Sequence, residues 1–494
     1  MNRATIACLA WLMGWPAMAS GAELTSAALG NIVTAGAPIS FTLRAEADTV
    51  RWSIRDFFGK EVASGNTQIS NNRAVIAPRI QGLGYFTLDA ALERGGTAAG
   101  SARTALAILP PADKSLRDNP FGVVTHFAKD WSTDIIPLIE MAGIGRIRDE
   151  QPWRKVERQR GQYKFPPRLT GYMGELAAHG IDPLIILAFS NPLYDNDKTP
   201  YAQEGRAGYA AYAAAVARRY GKQLSAVEVW NEYNGDFCQG PCRADRAAYY
   251  TSMLKETYAT LKAANPSLTV LGGAGVPIPL GYFQSLFKNG ALDAMDAIVI
   301  HPYRKVPEGV EEKIDDLRQA MQRYGKPKPI WATEFSDFPD MRNNRDNAAR
   351  YLVRMSTLLL AAKVDRIYWY LLKDYQQFSG LGLVRSESDP MGRYVPTPAY
   401  AAYAVLIQQL TGARFVRREP SDPRIRVYLF SRGGTEIRVA WSTETPGAYQ
   451  LRSTGPIKQI DLMGNARTLP RQTGPVSIPV DRTPIYLISD SRPG

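Results

Sequence analysis

Two glutamates close apolar runs in this chain of 494 residues: Glu232 in Val227-Glu228-Val229-Trp230-Asn231-Glu232, and Glu334 in Ile330-Trp331-Ala332-Thr333-Glu334. Carboxyl groups that face each other across a sugar can cleave a glycosidic bond. One serves as general acid/base and the other as nucleophile, with about 5–5.5 Å between them when configuration is retained. Like charges so close do not both ionise cheaply, so one is kept protonated near neutral pH, and that makes the acid. Either glutamate alone reads equally well as a helix cap or a salt-bridge partner at a strand-helix turn. Only the pair, suitably placed, carries the chemistry.

The elements that would place them alternate. After Asn119, short apolar runs suited to buried strands are separated by amphipathic stretches. The expected strands are Phe121–His126, Gly145–Asp149, Pro183–Ala188, Ala226–Glu232, Leu268–Gly272, Ala297–His301, Pro329–Glu334 and Arg366–Leu371. Helical stretches include Ile135–Ala142, Gly208–Tyr220, Ala247–Ala264, Val310–Tyr324, Asn347–Ala362 and Pro398–Leu410. Eight such alternations predict a (β/α)8 TIM barrel. From His126 to Trp369 there are 243 positions, about 35 per repeat, in keeping with the ~250 residues of that fold. An open doubly wound sheet would call for a Gly-rich phosphate loop at its first strand-helix turn, and none is there.

Reactive groups of such a barrel sit where strands end at its C-terminal rim. The expected ends carry His126, Arg148 with Asp149 and Glu150, Asn191, Asn231 with Glu232, His301 with Tyr303, Glu334 and Trp369. Glu232 and Glu334 fall on strands four and seven. His126, Asn191 and Trp153 are candidate sugar subsites that could equally support loops. His179, before Gly180, is expected to face solvent.

The flanks of the barrel read as β structure. Between Glu23 and Pro111, Val50, Trp52 and Ile54 alternate with Arg51, Ser53 and Arg55, and Phe86, Leu88 and Ala90 repeat the pattern. Beyond Thr411, Ile437, Val439 and Trp441 form a stripe, Arg432-Gly433-Gly434 marks a hairpin, and Pro484–Ile488 makes a last strand. The expected organisation is a signal peptide over 1–22, an N-terminal immunoglobulin-like β-sandwich over 23–112, the barrel over 113–411 and a C-terminal β-sandwich domain over 412–494.

Four matches fall in order on the expected strands: Trp230-Asn231-Glu232 on the fourth, His301-Pro302-Tyr303 on the sixth, Thr333-Glu334 on the seventh and Trp369 on the eighth. Together they resemble the pattern of the clan GH-A retaining glycosidases. Arg148-Asp149-Glu150 with Trp153, and then Gly161-Gln162-Tyr163-Lys164-Phe165, is similar to the second-strand region of glycoside hydrolase family 39. That family holds β-xylosidases, α-L-iduronidases and exopolysaccharide endoglycosidases. The resemblance covers about Phe121 to Leu410 and implies that Glu232 is the acid/base and Glu334 the nucleophile. It also implies that Asn231 bonds the sugar 2-hydroxyl, Tyr303 orients Glu334 and Arg148 helps keep that carboxylate ionised. His301 would contact Glu232 or substrate, and Trp369 would floor a sugar ring. A retaining mechanism needs no metal or cofactor, and no ligand cluster in the sequence suggests one.

Composition sets the surroundings. Met1-Asn2-Arg3, an apolar run to about Trp15 and small residues up to Ala22 have the form of a secretory signal, too short for a membrane span. Export, periplasmic or secreted, would remove Cys8 and leave Cys238 and Cys242. Two sulfurs without a nearby His make half a metal site, so a five-residue disulfide loop is the better reading. That loop would stiffen one lip of the cleft just after Glu232. The net charge of +12, with arginine more than twice as frequent as lysine, suits an anionic partner. No basic cluster interleaved with aromatics argues for nucleic acid, so an acidic polysaccharide or oligosaccharide is the partner that fits. The function expected is endo-hydrolysis of a bacterial exopolysaccharide. The alternatives are an exo-acting β-xylosidase or iduronidase-like enzyme, a non-catalytic carbohydrate-binding or assembly protein, and a polysaccharide lyase.

Overall fold

The computed structural model describes residues 21–111, 113–336, 344–453, 455–470 and 474–490, so most of the expected signal peptide lies outside the described residues. Eight parallel strands close a barrel: β1 (Phe121–Val124), β2 (Arg146–Pro152), β3 (Asp182–Ala188), β4 (Ala226–Val229), β5 (Thr269–Gly275), β6 (Ala297–Ile300), β7 (Ile330–Phe335) and β8 (Arg366–Trp369). Tyr368 of β8 pairs with Gly122 of β1 to complete the ring. The helices around it are α1 (Ile136–Met141), α2 (Pro167–Ala178), α3 (Gln203–Tyr220), α4 (Arg246–Ala264), α5 (Leu280–Lys288), α6 (Val310–Tyr324), α7 (Arg345–Ala361) and α8 (Pro398–Leu410).

Helix α6 shows why these segments fold as they do. Val310, Ile314, Leu317 and Met321 recur at helical spacing and are buried against the barrel. Glu311 and Glu312 sit in the first turn and Arg323 in the last, opposite in sign to the backbone dipole at each end. The sequence reading does not name α2 or α5. Helix α2 has Pro167 in its first turn and an apolar stripe of Leu169, Tyr172, Met173 and Leu176.

Several expected strands run past their ladders. Strand four stops at Val229 because Trp230 (φ 70°) and Glu232 (φ 43°) take left-handed backbone. Non-glycine residues adopt this region at a cost, and it is found at sites where a side chain must be re-aimed. The chain therefore leaves the barrel wall at the residue pair that the chemistry needs.

The N-terminal segment forms a three-stranded sheet (Glu23–Ser26, Phe41–Arg44, Arg73–Ile76) and a five-stranded sheet, ordered Ile32–Thr34, Thr97–Leu109, Gly84–Arg94, Thr49–Asp56 and Glu61–Gln68. Phe41, Leu43, Val50, Ile54, Phe86, Leu88 and Ala90 fill the space between them, while Trp52 of the expected stripe is only half-buried.

The C-terminal sheet has six strands, ordered Arg414–Arg418, Ile425–Arg432, Thr435–Ser442, Ile485–Asp490, Ile457–Ile460 and Ala466–Leu469. Gly433 and Gly434 both have positive φ in the two-residue hairpin, as a type I′ turn requires. Tyr428, Phe430, Ile437, Val439, Trp441 and Tyr486 join the barrel core. The opposite face buries Val427, Ala440 and Leu487 against the hairpin-like pair Gly447–Leu451 and Val476–Val480. Trp441 stacks on Tyr428 (5.4 Å) and donates its indole N–H to Glu308 (2.8 Å), which also accepts from Arg354 (2.6 Å).

A test of barrel closure follows from Gly122. A Cβ there would stand 2.3 Å from the Tyr368 ring on the neighbouring strand. Overpacking of this kind costs about 1–3 kcal/mol, so Gly122→Ala is expected to lower the thermal unfolding midpoint, measured by circular dichroism.

Candidate active site

A cavity of about 610 Å³ opens at the C-terminal ends of the strands and contains Glu232, Glu334, Asn231 and Tyr303. One oxygen from each of Glu232 and Glu334 and one ring nitrogen of His301 lie within 4.8 Å of one another. Side chains a hundred positions apart thus meet in one cavity, close enough to act on one bond as double displacement requires.

Each is held by neighbours with stated partners. Arg148, fully buried on β2, donates Nε and Nη2 to the two oxygens of Glu228 (2.8 and 2.7 Å), Nη2 to Asn231 Oδ1 (2.8 Å) and Nη1 to Glu334. Tyr303 donates its hydroxyl to the other Glu334 oxygen (2.8 Å). His301 joins Glu232 through Nδ1 (2.9 Å) and Thr333 Oγ1 through Nε2 (3.0 Å). The nucleophile candidate is therefore oriented by a cation and a phenol, and the acid candidate by an imidazole. Arg148 already brings positive charge to the oxygens a metal ion would need, and His301 and Tyr303 use the same lone pairs.

Burial and charge set the protonation of this group. Burial works against charge on Arg148, but Glu228 and Glu334 together hold its guanidinium above its ordinary value. Burial likewise opposes ionisation of Glu228, and Arg148 overcomes it, bringing the carboxyl down to about 2. His301 is disfavoured as a cation by burial, yet the Glu334 charge, the nearby Glu228 carboxylate and the bond to Glu232 raise it to about 9. Burial, helped by Lys129, Arg148 and Lys373, pushes His126 down to about 3, so it is a neutral ring in the cavity wall. Tyr303 is held above its ordinary value by burial and by the Glu334 charge.

Asp149 fastens the rim. It accepts from Thr125 Oγ1 (2.6 Å) and the Phe127 backbone N–H (2.7 Å), tying the loop that carries His126 to β2; burial raises it to about 6.

Of the residues expected from sequence, Glu232, Glu334, Asn231, Arg148, His301 and Tyr303 come together, and His126 lines the same cavity. Four residues lie elsewhere than the expected cavity or solvent positions, and Asn191 takes the loop-supporting alternative. Trp369 is fully buried, edge-on to Phe335 (5.5 Å), and the ring that lines the cavity belongs to Tyr370. Adjacent residues of an extended chain point to opposite faces, so one position exchanges core for cavity. Trp153 is also fully buried, stacked on Tyr194 (5.0 Å) and Tyr212 (5.7 Å), with its indole N–H on Glu157 (2.5 Å). Asn191 braces a loop, donating to the Glu157 carbonyl (2.8 Å) and accepting from the Leu193 N–H (3.0 Å). His179 is likewise not free in solvent; its Nδ1 lies 2.6 Å from Glu140.

The structure adds cavity contacts that the sequence reading did not assign. Lys129 and Glu150 form an ion pair (3.2 Å) in the cavity wall. Phe189 and Phe237, stacked 5.1 Å apart, line the cavity too, as do Tyr370, Tyr375 and Phe378. Glu228, fully buried, carries Arg148; a carboxylate inside an apolar run is a signal that a buried cation must meet it.

Cys238 and Cys242 form the expected disulfide, and both are buried. Their loop is fastened to Thr199 by the Gln239 N–H on Thr199 Oγ1 (2.9 Å) and the Thr199 N–H on the Gln239 carbonyl (3.2 Å). The loop begins beside Phe237 and so steadies the aromatic wall next to Glu232.

Residues 203–392 match the family model described as glycosyl hydrolase catalytic core. No curated protein sequence matches the chain. Among solved structures, the chain is similar to a family 39 glycoside hydrolase from the gut symbiont Bacteroides cellulosilyticus WH2, with a TM-score of 0.79 at 22% identity, covering 93% of this chain and 99% of that one. It is also similar to a GH39 β-xylosidase from Caulobacter crescentus (TM-score 0.55, 19% identity, 77% and 97% covered). A GH30 endoxylanase from Clostridium papyrosolvens C71 gives a TM-score of 0.53 at 13% identity, covering 76% and 96%. These likenesses establish the fold, and the family model marks a glycosyl hydrolase catalytic core within it. Both agree with the resemblance to clan GH-A and family 39 that the sequence motifs carry.

The two cavity histidines predict opposite effects of pH on stability. His301 is raised from 6.5 to about 9, so its contribution is complete below pH 6.5 and is lost as pH rises through 9. His126 is lowered from 6.5 to about 3, so its burial weakens the fold as pH falls below 6.5. Urea unfolding is expected to show a decline in stability from pH 6.5 to 9 that His301→Gln removes, and a decline below pH 6.5 that His126→Gln reduces.

Proposed function

We propose that this protein is an exported retaining endoglycosidase that hydrolyses a polysaccharide, a bacterial exopolysaccharide, by double displacement. The observation that carries the reading is the approach of Glu232 and Glu334 across one cavity, each with the partners its role requires. Glu334 attacks the anomeric carbon while Glu232 gives a proton to the departing oxygen, and a glycosyl-enzyme ester forms. Glu232 then takes a proton from water as the water attacks the same carbon, which breaks the ester and retains configuration. Arg148 and Tyr303 fix the attacking oxygen, and pre-set geometry of this kind lowers the barrel's cost of reaching the transition state. Because Asn231 Oδ1 accepts from Arg148, its amide N–H groups are left to bond the sugar 2-hydroxyl as charge develops on the ring.

Internal cutting is supported by the two groups of aromatic rings that line the cavity with the carboxylate pair, since sugar faces stack on such rings. The Phe189–Phe237 wall is nearer in the chain to Glu232 and suits the leaving-group side. The Tyr370, Tyr375 and Phe378 wall follows strand β8 and suits the retained sugar. Export is supported by the leader-like first residues and by a disulfide that persists in an oxidising compartment.

The deciding assay incubates the protein with a panel of purified exopolysaccharides. Xylan joins the panel because the similar structures include a β-xylosidase and an endoxylanase. New internal reducing ends whose first-formed anomer, read by proton NMR, keeps the substrate's configuration are the expected result. Release of single sugars only would favour exo action, and an ultraviolet-absorbing unsaturated product would indicate a lyase. On any polymer cleaved, Glu334→Gln is expected to lower kcat by about four orders of magnitude or more while binding persists. An unchanged rate in that variant would rule out the mechanism.

A further inference from the structure

Glu228 touches neither of the reacting oxygens, yet it is the carboxylate buried most completely in the cluster. Both its oxygens are spent on Arg148, and one lies 3.8 Å from His301 Nε2. That same His301 nitrogen is 3.5 Å from Arg148 Nη2. Two cations at this separation, away from water, repel strongly unless an anion is shared between them. The other ionisable groups facing Glu228 are Tyr209 from α3, Tyr250 from α4 and Tyr368 from β8. Burial keeps all three phenols neutral, so none of them can supply that charge.

The charges then form a short ledger. Arg148 and His301 are positive, Glu228 and Glu334 negative, and the sum is zero before Glu232 is considered. With this balance a proton on Glu232 leaves the cluster neutral. Without Glu228 the cluster would carry an excess positive charge, which works against the proton on His301.

We infer that Glu228 is a positioning residue that fixes the charge of the site: it lets Arg148 and His301 stand side by side as cations, with His301 held on Glu232, the group read as proton donor. The inference rests on the reading of Glu232 as the acid, but its first test does not need a substrate. The chain has three histidines, His126, His179 and His301, so ¹⁵N-histidine NMR can follow each ring. In the wild-type protein one imidazole, assigned through His301→Gln, should remain charged until about pH 9. In Glu228→Gln its midpoint should fall by about 1–3 pH units, with the His126 and His179 signals in place as evidence of the fold. Glu228→Asp, which keeps the charge, should recover part of the shift.

On a cleaved polysaccharide, the alkaline limb of kcat/KM should move down in Glu228→Gln by a similar interval. A merely structural residue would lower the rate at all pH values alike. An unmoved His301 midpoint in Glu228→Gln overturns the inference. So does a wild-type His301 that is neutral at pH 7, a result that stands even if the variant does not fold. The titration is read on the resting protein, so an absence of glycosidase activity would retire the sugar-cleaving reading and not the charge balance.

Discussion

A single buried guanidinium organises the cavity. Arg148 has no water to solvate it, and its charge is tolerable only because Glu228, Glu334 and Asn231 converge on it from β4, from β7 and from the turn after β4. A cation taken out of water is costly unless paired and hydrogen-bonded on several sides. The same requirement therefore draws three strand ends to one point. Once they are there, the nucleophile candidate has a fixed direction, and the second carboxylate is within reach across the gap.

The polypeptide around that point is arranged to hold strand ends still. Strand β4 leaves its ladder through left-handed backbone at Trp230 and Glu232, which lifts the Glu232 side chain off the wall and into the cavity. Such backbone persists only where surrounding contacts over-determine it. Trp230 packs on Phe189 and Tyr233, His301 bonds Glu232, and the Cys238–Cys242 loop is fastened to Thr199 a few residues on. The C-terminal sheet acts at longer range. Through Trp441 it meets Glu308, in the segment between β6 and α6, which Arg354 of α7 also holds, so the loop that follows His301 and Tyr303 is fastened where the sheet joins the barrel core.

Much of this was legible in one dimension because it depends on local pattern. A buried parallel strand needs a run of apolar side chains, and an amphipathic helix must follow to cover it; both leave a periodic trace. Glu232 and Glu334 stood out because each ends such a run. The misplaced aromatics show where pattern stops. Trp369 and Tyr370 are neighbours of nearly equal hydrophobic character, and which one faces the cavity depends on how β8 leaves the barrel against Phe335. Trp153 gives its indole N–H to Glu157 four residues on, and Asn191 bonds the Glu157 carbonyl from 34 residues away, a contact that spacing along the chain does not show.

The sequence by itself determined the number and order of barrel elements, the β character of both flanks and the two carboxylates, since each follows from the spacing of residue types along the chain. Tertiary structure alone decided that Glu228 would share Arg148 with Glu334, that His301 would lie between like and unlike charges, and that Tyr370 would replace Trp369 in the cavity wall. The reason is electrostatic and steric: the charge state of a buried group and the face a side chain presents are properties of its neighbours in space, and those neighbours come from strands dozens of residues apart.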